Sequence, residues 1–198
     1  MTRMADTDAA QVALVLGGDP DAFRVLVERH GRRLFRLAYR MTGNEHDAEE
    51  IVQDAFLRAY RRLDRFEARA NFGTWLYRIC ANCALDLMRR QRADQTRREP
   101  APRDDDPDAS DPLEAAASAD PGPERLVLSA ELGAGVRAAM NSLSATERAA
   151  FLLRHVEGFS IEDIAQSLDL NIGATKNSVF RAVQKLRRHL DPLVSAAR

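Results

Sequence analysis

Residues 160–190 read SIEDIAQSLDLNIGATKNSVFRAVQKLRRHL. Ser160 stands three residues before Asp163, a loose capping arrangement that opens a helix. Ile161, Ile164, Ala165 and Leu168 then recur at helical spacing, which gives a short helix with one apolar side. Asp169-Leu170-Asn171 breaks it. A second, longer helix follows, with Ile172, Val179, Val183, Leu186 and Leu190 on its inner face. A short helix, a three-residue turn and a longer helix with a basic outer face make a helix-turn-helix pattern. Lys176, Asn177, Phe180, Arg181, Gln184 and Arg188 point outward at spacings of three and four. Lysine and arginine can contact guanine edges or phosphates, asparagine and glutamine can pair with adenine, and phenylalanine can pack on a thymine methyl. An ordinary solvated helix face is the alternative reading.

Upstream, Ser144-Ala145-Thr146-Glu147 is a capping box that starts another helix. Further upstream the composition changes. Residues 95–124 hold six of the eight prolines and nine acidic residues against three arginines. Low hydrophobicity with proline and aspartate cannot repay the entropy of ordering, so this stretch reads as a flexible acidic linker. The flanks are slightly basic, +2 over 1–94 and +3 over 125–198, and the whole chain of 198 residues carries −1. Bulk electrostatics therefore cannot hold DNA; any contact needs local patches or a partner. The plan is all-α: two small helical domains, 1–94 and 125–198, joined by the linker.

The N-terminal flank is helical throughout. Asp19-Pro20 opens a helix with Phe23, Leu26, Val27, Leu34, Leu37, Ala38 and Met41 at helical spacing, and Gly43 closes it. Asn44 caps the next, where Ala48, Ile51, Val52, Ala55, Phe56, Ala59, Tyr60 and Leu63 form one apolar stripe. Glu49, Glu50, Gln53 and Asp54 lie off that stripe, an acidic and amide face suited to a basic partner or simply to water. A third helix begins near Asn71, with Phe72, Leu76, Ile79, Cys83 and Leu87 buried.

The residues Ala22-Phe23, Leu37-Ala38-Tyr39-Arg40-Met41-Thr42-Gly43, Asp47-Ala48-Glu49-Glu50-Ile51-Val52-Gln53-Asp54-Ala55-Phe56, Arg65-Phe66 and Thr74-Trp75-Leu76-Tyr77-Arg78-Ile79 resemble region 2 of extracytoplasmic-function (ECF) RNA polymerase sigma factors. Residues 143–190 resemble their region 4. The resemblance implies a two-domain subunit that binds core RNA polymerase and promoter DNA, directs promoter-specific initiation, and is held silent by an anti-sigma partner. It implies polymerase docking through Asp47, Glu49, Glu50, Gln53 and Asp54. It implies a loop from Phe66 to Asn71 that captures an unpaired base of the −10 element. Extracting that base costs a few kcal/mol, so a receiving pocket must exist. Phe66, Arg69, Asn71, Arg78, Asn82, Asp86, Arg89 and Arg90 are the candidate −10 set, with Arg92 a further phosphate contact. At Asp86 the chain departs from the pattern, since a carboxylate repels phosphates although it can accept from a cytosine amino group. Trp75 supports the melting helix in the family and also reads as a core aromatic. The resemblance assigns the −35 element to Lys176, Asn177, Phe180, Arg181, Gln184 and Arg188. Gly173-Ala174-Thr175-Lys176-Asn177-Ser178 departs from the usual helix start by placing Ser178 at a basic position.

The two promoter elements lie about 17 base pairs apart in the family, roughly 55–60 Å. A 30-residue flexible chain spans about 30 Å on average and about 100 Å at most. The linker can reach across, but the polymerase must set the spacing.

Cys80-Ala81-Asn82-Cys83 has CxxC spacing. On a helix the two Cβ atoms stand about 5–6 Å apart, too far for a disulfide. Core packing and redox or metal sensing both remain as readings. No nucleotide loop, metalloprotease motif or catalytic triad spacing occurs, so no catalytic residue, metal or cofactor is expected. The start lacks the apolar core of a signal peptide, and no run is long enough to span a membrane, which makes a reducing, cytoplasmic setting the default. Two rival functions stand beside the resemblance: a free-standing helix-turn-helix regulator, and an interaction module that kept only the fold.

Overall fold

A computed structural model describes residues 2–66, 71–97 and 133–196. The chain divides into two units, Met1–Gln95 and Thr96–Arg198, each with its own core. The described residues form α1 (Thr2–Leu16), α2 (Asp21–Thr42), α3 (Glu45–Arg61), a 3₁₀ turn (Leu63–Arg65), α4 (Phe72–Arg97), α5 (133–141), α6 (Ala145–His155), α7 (Ile161–Ser167) and α8 (Ile172–Ala196). No strand occurs among them.

Local hydrogen bonds explain most of the boundaries. Asp19 Oδ1 accepts from the Asp21 amide at 3.0 Å, and Pro20 (φ −68°) already has helical backbone where no N–H is needed. Gly43 ends α2 at φ +72°, its amide donating to the Tyr39 carbonyl at 2.7 Å. Glycine takes that left-handed backbone without steric cost. Asn44 Oδ1 then accepts from the Asp47 amide at 2.9 Å and starts α3.

Helix α1 has no counterpart in the sequence expectation. It packs on α2 and on the 3₁₀ turn and buries Val12 and, unusually, Asp8. Asp8 Oδ2 accepts from His30 Nε2 of α2 at 2.9 Å, and Arg29 Nη1 donates to Asp8 Oδ1. Burial lowers the His30 pKa from its ordinary value, against the opposing pull of Asp8.

Helix α4 is buried on more than one face. Phe72, Leu76, Cys83 and Leu87 are inside as expected, but Tyr77, Cys80, Ala81, Ala84 and Leu85 are buried too, while Ile79 is only half-buried. Small side chains let neighbouring helices approach closely from several directions. Two side-chain bridges tie α4 to α3: Gln91 Nε2 donates to Asp47 Oδ2 at 2.9 Å, and Arg58 Nη1 to Asp86 Oδ2 at 3.3 Å.

In the second unit the capping box forms in both directions, Glu147 amide to Ser144 Oγ and Ser144 amide to Glu147 Oε2. Helices α6, α7 and α8 pack on one another around Leu143, Leu153, Ile164, Thr175, Ala182 and Leu186. The expected inner face of α8 needs one correction. Ile172 is 47% exposed, on the outer side of the first turn of α8. Thr175 is fully buried in its place, and its hydroxyl donates to the Asn171 carbonyl at 3.0 Å. That bond satisfies the group which made Thr175 read as polar.

Lys185 Nζ reaches Glu147 Oε2 at 2.7 Å and fastens α8 to α6. Burial alone would raise the Glu147 carboxyl, but the hydrogen bonds from Lys185 and from Ser144 hold it below the ordinary glutamate value. A depressed carboxylate stabilises above the unfolded value, and that contribution fades as pH falls through the folded one. Glu147→Gln is therefore expected to lower the thermal midpoint of this unit at neutral pH, with the difference from wild type shrinking as pH falls below the ordinary glutamate range, as read by circular dichroism on the full chain.

Candidate functional site

The turn between α7 and α8 sets the outward face of α8. Asp169 takes left-handed backbone at φ +52°, which aspartate tolerates better than most residues. The Leu170 amide returns to the Ala165 carbonyl at 2.9 Å. Asn171 Oδ1 accepts from the Ala174 amide at 2.7 Å and caps α8. Lys176, Asn177, Phe180, Arg181, Gln184 and Arg188 are all exposed, Phe180 at 63%. An aromatic ring held that far into solvent on a cationic helix face is available for contact with a base. Ser178, at the departed position, is half-buried and its hydroxyl donates to the Ala174 carbonyl.

On α3 the five expected docking residues separate into two groups. Glu49, Glu50 and Gln53 are exposed. Asp47 and Asp54 are half-buried and engaged within the unit, Asp47 with Gln91 and Asp54 with Arg58 at 2.8 Å. Beside the exposed group an open cleft of about 490 Å³ runs between α2 and α3. Phe23, Val27 and Phe35 of α2 and Val52, Leu57 and Tyr60 of α3 line it, together with Glu49 and Gln53. The sequence expectation placed Val52 and Tyr60 in the core. Tyr60 is 48% exposed instead, its ring 5.0 Å from that of Phe23.

The candidate −10 residues gather around α4. Phe66, Phe72 and Trp75 form a mutual aromatic cluster, with ring centroids 5.2–5.7 Å apart. Phe72 is buried, whereas Phe66 and Trp75 are half-buried, so the cluster has both an anchored and an accessible side. Trp75 thus packs as a half-core aromatic, one of its two expected readings. Asn71 is exposed but caps α4, its Oδ1 accepting from the Gly73 amide at 2.9 Å. Arg69 lies outside the described residues. Asn82, Arg89, Arg90 and Arg92 are exposed, and Arg78 is half-buried. Asp86 is paired with Arg58 at 3.3 Å and Arg89 at 3.9 Å. The two arginines offset its charge.

Cys80 and Cys83 are buried thiols, and Cys80 Sγ lies 3.9 Å from the Leu34 carbonyl. Burial pushes the Cys83 thiol up to about 12, so it stays protonated and unreactive at neutral pH. Among the described residues no group of histidine, cysteine or carboxylate side chains is placed to hold a metal ion.

The Sigma-70 region 2 family model matches residues 26–93, and the Sigma-70 region 4 model matches residues 134–186. The chain is 34% identical over 190 residues to the ECF RNA polymerase sigma-E factor of Escherichia coli K12, covering 95% of this chain and 96% of that one. The chain belongs to the ECF RNA polymerase sigma factors. It is also 38% identical over 165 residues to the ECF RNA polymerase sigma factor SigE of Mycolicibacterium smegmatis, covering 83% of this chain and 60% of that longer relative. Among solved structures, the sigma factor RpoE in complex with the anti-sigma factor NepR from Bartonella quintana superposes with a TM-score of 0.62 at 27% identity, over 85% of this chain and 96% of that one. In this ECF sigma factor, region 2 therefore covers most of α2–α4 and region 4 covers α5–α8 up to residue 186. Among the described residues, no helix is long and apolar enough to cross a membrane.

Proposed function

We propose that this ECF sigma factor docks on core RNA polymerase through Glu49, Glu50 and Gln53 together with the neighbouring apolar cleft, and so directs promoter-specific initiation. The observation that carries this reading is the pairing of an exposed acidic group with an apolar cleft on one side of α2–α3. Acidic residues give steering and register, and apolar area gives affinity. Asp47 and Asp54 contribute indirectly by tying α3 to the DNA-facing helix α4. Phe66, Asn71, Asn82 and the arginines at 78, 89 and 90 receive the −10 strand, and the outer face of α8 reads the −35 element. The chain works in the cytoplasm and has no catalytic activity of its own. The RpoE–NepR likeness supports an anti-sigma partner as well.

The test is to mix the purified chain with bacterial core polymerase and follow complex formation and initiation in vitro. Lysine at both Glu49 and Glu50 is expected to weaken the complex by about tenfold or more, since reversing a rim charge meets like charge on the partner. Unchanged polymerase affinity in that double variant would reject this docking face. Tight promoter binding without polymerase, and no polymerase complex, would establish a free-standing regulator instead.

A further inference from the structure

The Asp8–His30 contact between α1 and α2 is deeply buried: each residue is 2% exposed. A buried carboxylate is costly unless it is paired, and an apolar pair would hold α1 on α2 without that cost. The geometry shows what the polar pair adds. Its hydrogen bond with Asp8 holds the imidazole at Nε2. The Cε1–Nδ1 side of the ring lies against the start of α4. The His30 and Phe72 ring centroids are 5.5 Å apart. A Cβ on Gly73 would stand 3.4 Å from His30 Cε1 and 3.1 Å from Asn71 Oδ1, so the fit there is close. Phe72 in turn packs on Phe66 and Trp75. Helix α1 also packs on the 3₁₀ turn immediately before Phe66.

We propose that the Asp8–His30 pair is a positioning device that sets the aromatic cluster Phe66–Phe72–Trp75 for capture of the −10 strand. This rests on the −10 reading given above. Asp8 and His30 do not touch DNA; they act through Phe72 and Gly73. The N-terminal helix is thereby part of promoter recognition, although it carries none of the residues assigned to it.

Trp75 is the chain's one tryptophan, so its emission reports on the cluster directly. Holoenzyme made with Asp8→Ala or His30→Leu is tested on a single-stranded oligonucleotide selected from a random pool by the wild-type holoenzyme. Strand binding is expected to weaken roughly tenfold, in the range typical of coupling through packed neighbours. Core polymerase affinity is expected to stay near wild type, and Trp75 emission of the full chain to shift to the red. Asp8→Asn and His30→Gln keep the hydrogen bond and are expected to recover most of the loss. Wild-type strand binding in Asp8→Ala and His30→Leu overturns the proposal. So does a loss with no change at Trp75, or one that the conservative variants fail to recover. If Asp8→Ala does not fold, Asp8→Glu replaces it: the added methylene must shift Trp75 and weaken strand binding, and wild-type values in both overturn the proposal. Phe66→Ala separates the two levels. If it leaves strand binding intact, the −10 reading falls and takes this proposal with it. If it weakens binding while the Asp8 and His30 variants do not, only the positioning role falls.

Discussion

Alanine at both Lys176 and Arg181 is expected to reduce initiation at −35-dependent promoters by about a hundredfold, taking each lost base contact at about 1–3 kcal/mol. Both side chains are exposed one and two turns into α8. The reduction is measured by single-round transcription in vitro with reconstituted holoenzyme, and polymerase affinity serves as the control. Arg188→Ala should act differently. About 18 Å beyond Lys176 and about 10 Å beyond Arg181 along the helix, it is placed for phosphate rather than base edges. Its loss should weaken binding similarly across promoter sequences and flatten the salt dependence by about one unit of slope. A promoter response that survives the Lys176/Arg181 double change would mean that α8 no longer reads DNA, and the interaction-module reading would replace it. Lys185 makes a useful contrast: it is held at 2.7 Å by Glu147, so its replacement should cost stability more than promoter choice.

How much of this was legible in the sequence depends on the reach of the interaction. Caps were legible because their bonds close within three or four residues: Asn44 to Asp47, Ser144 with Glu147, Ser160 to Asp163. The outer face of α8 was legible because helical periodicity fixes direction. Helix α1 was not, because what anchors it is a charged residue, Asp8, whose partner lies 22 positions away. An isolated aspartate in a sequence reads as solvated. The same blindness affected Asp47, which looked like a free docking charge but answers to Gln91, 44 positions away; the Asp54–Arg58 pair closes within one helical turn and was open to a reading by spacing.

The apolar stripe of α3 failed in another way. Periodicity shows which residues share a face, not how many neighbours cover it. Val52 and Tyr60 are left in an open cleft, while α4, with its alanines and cysteines, is buried on more than one face. Large apolar residues mark a stripe clearly, but small ones mark close approach, and Ala81 and Ala84 carry no such signal in a count of hydrophobic spacing.

Phe72→Ala and Phe66→Ala should divide stability from recognition within one aromatic cluster. Phe72 is 2% exposed and contacts His30, Phe66 and Trp75. Truncating so buried a ring costs about 3–5 kcal/mol, a large share of the stability of a small helical domain. Urea unfolding followed at Trp75 should therefore show region 2 of Phe72→Ala melting at much lower denaturant. Phe66 is only half-buried, so its truncation should cost far less stability. Base stacking on an aromatic contributes about 1–3 kcal/mol, and Phe66→Ala should lose that much affinity for the −10 strand with the fold intact. The contrast follows from position: Phe72 is buried against His30, and Phe66 lies half-buried on the accessible side of the cluster. Equal stability loss in the two variants, or unchanged strand affinity in Phe66→Ala, would show that the cluster is core packing alone.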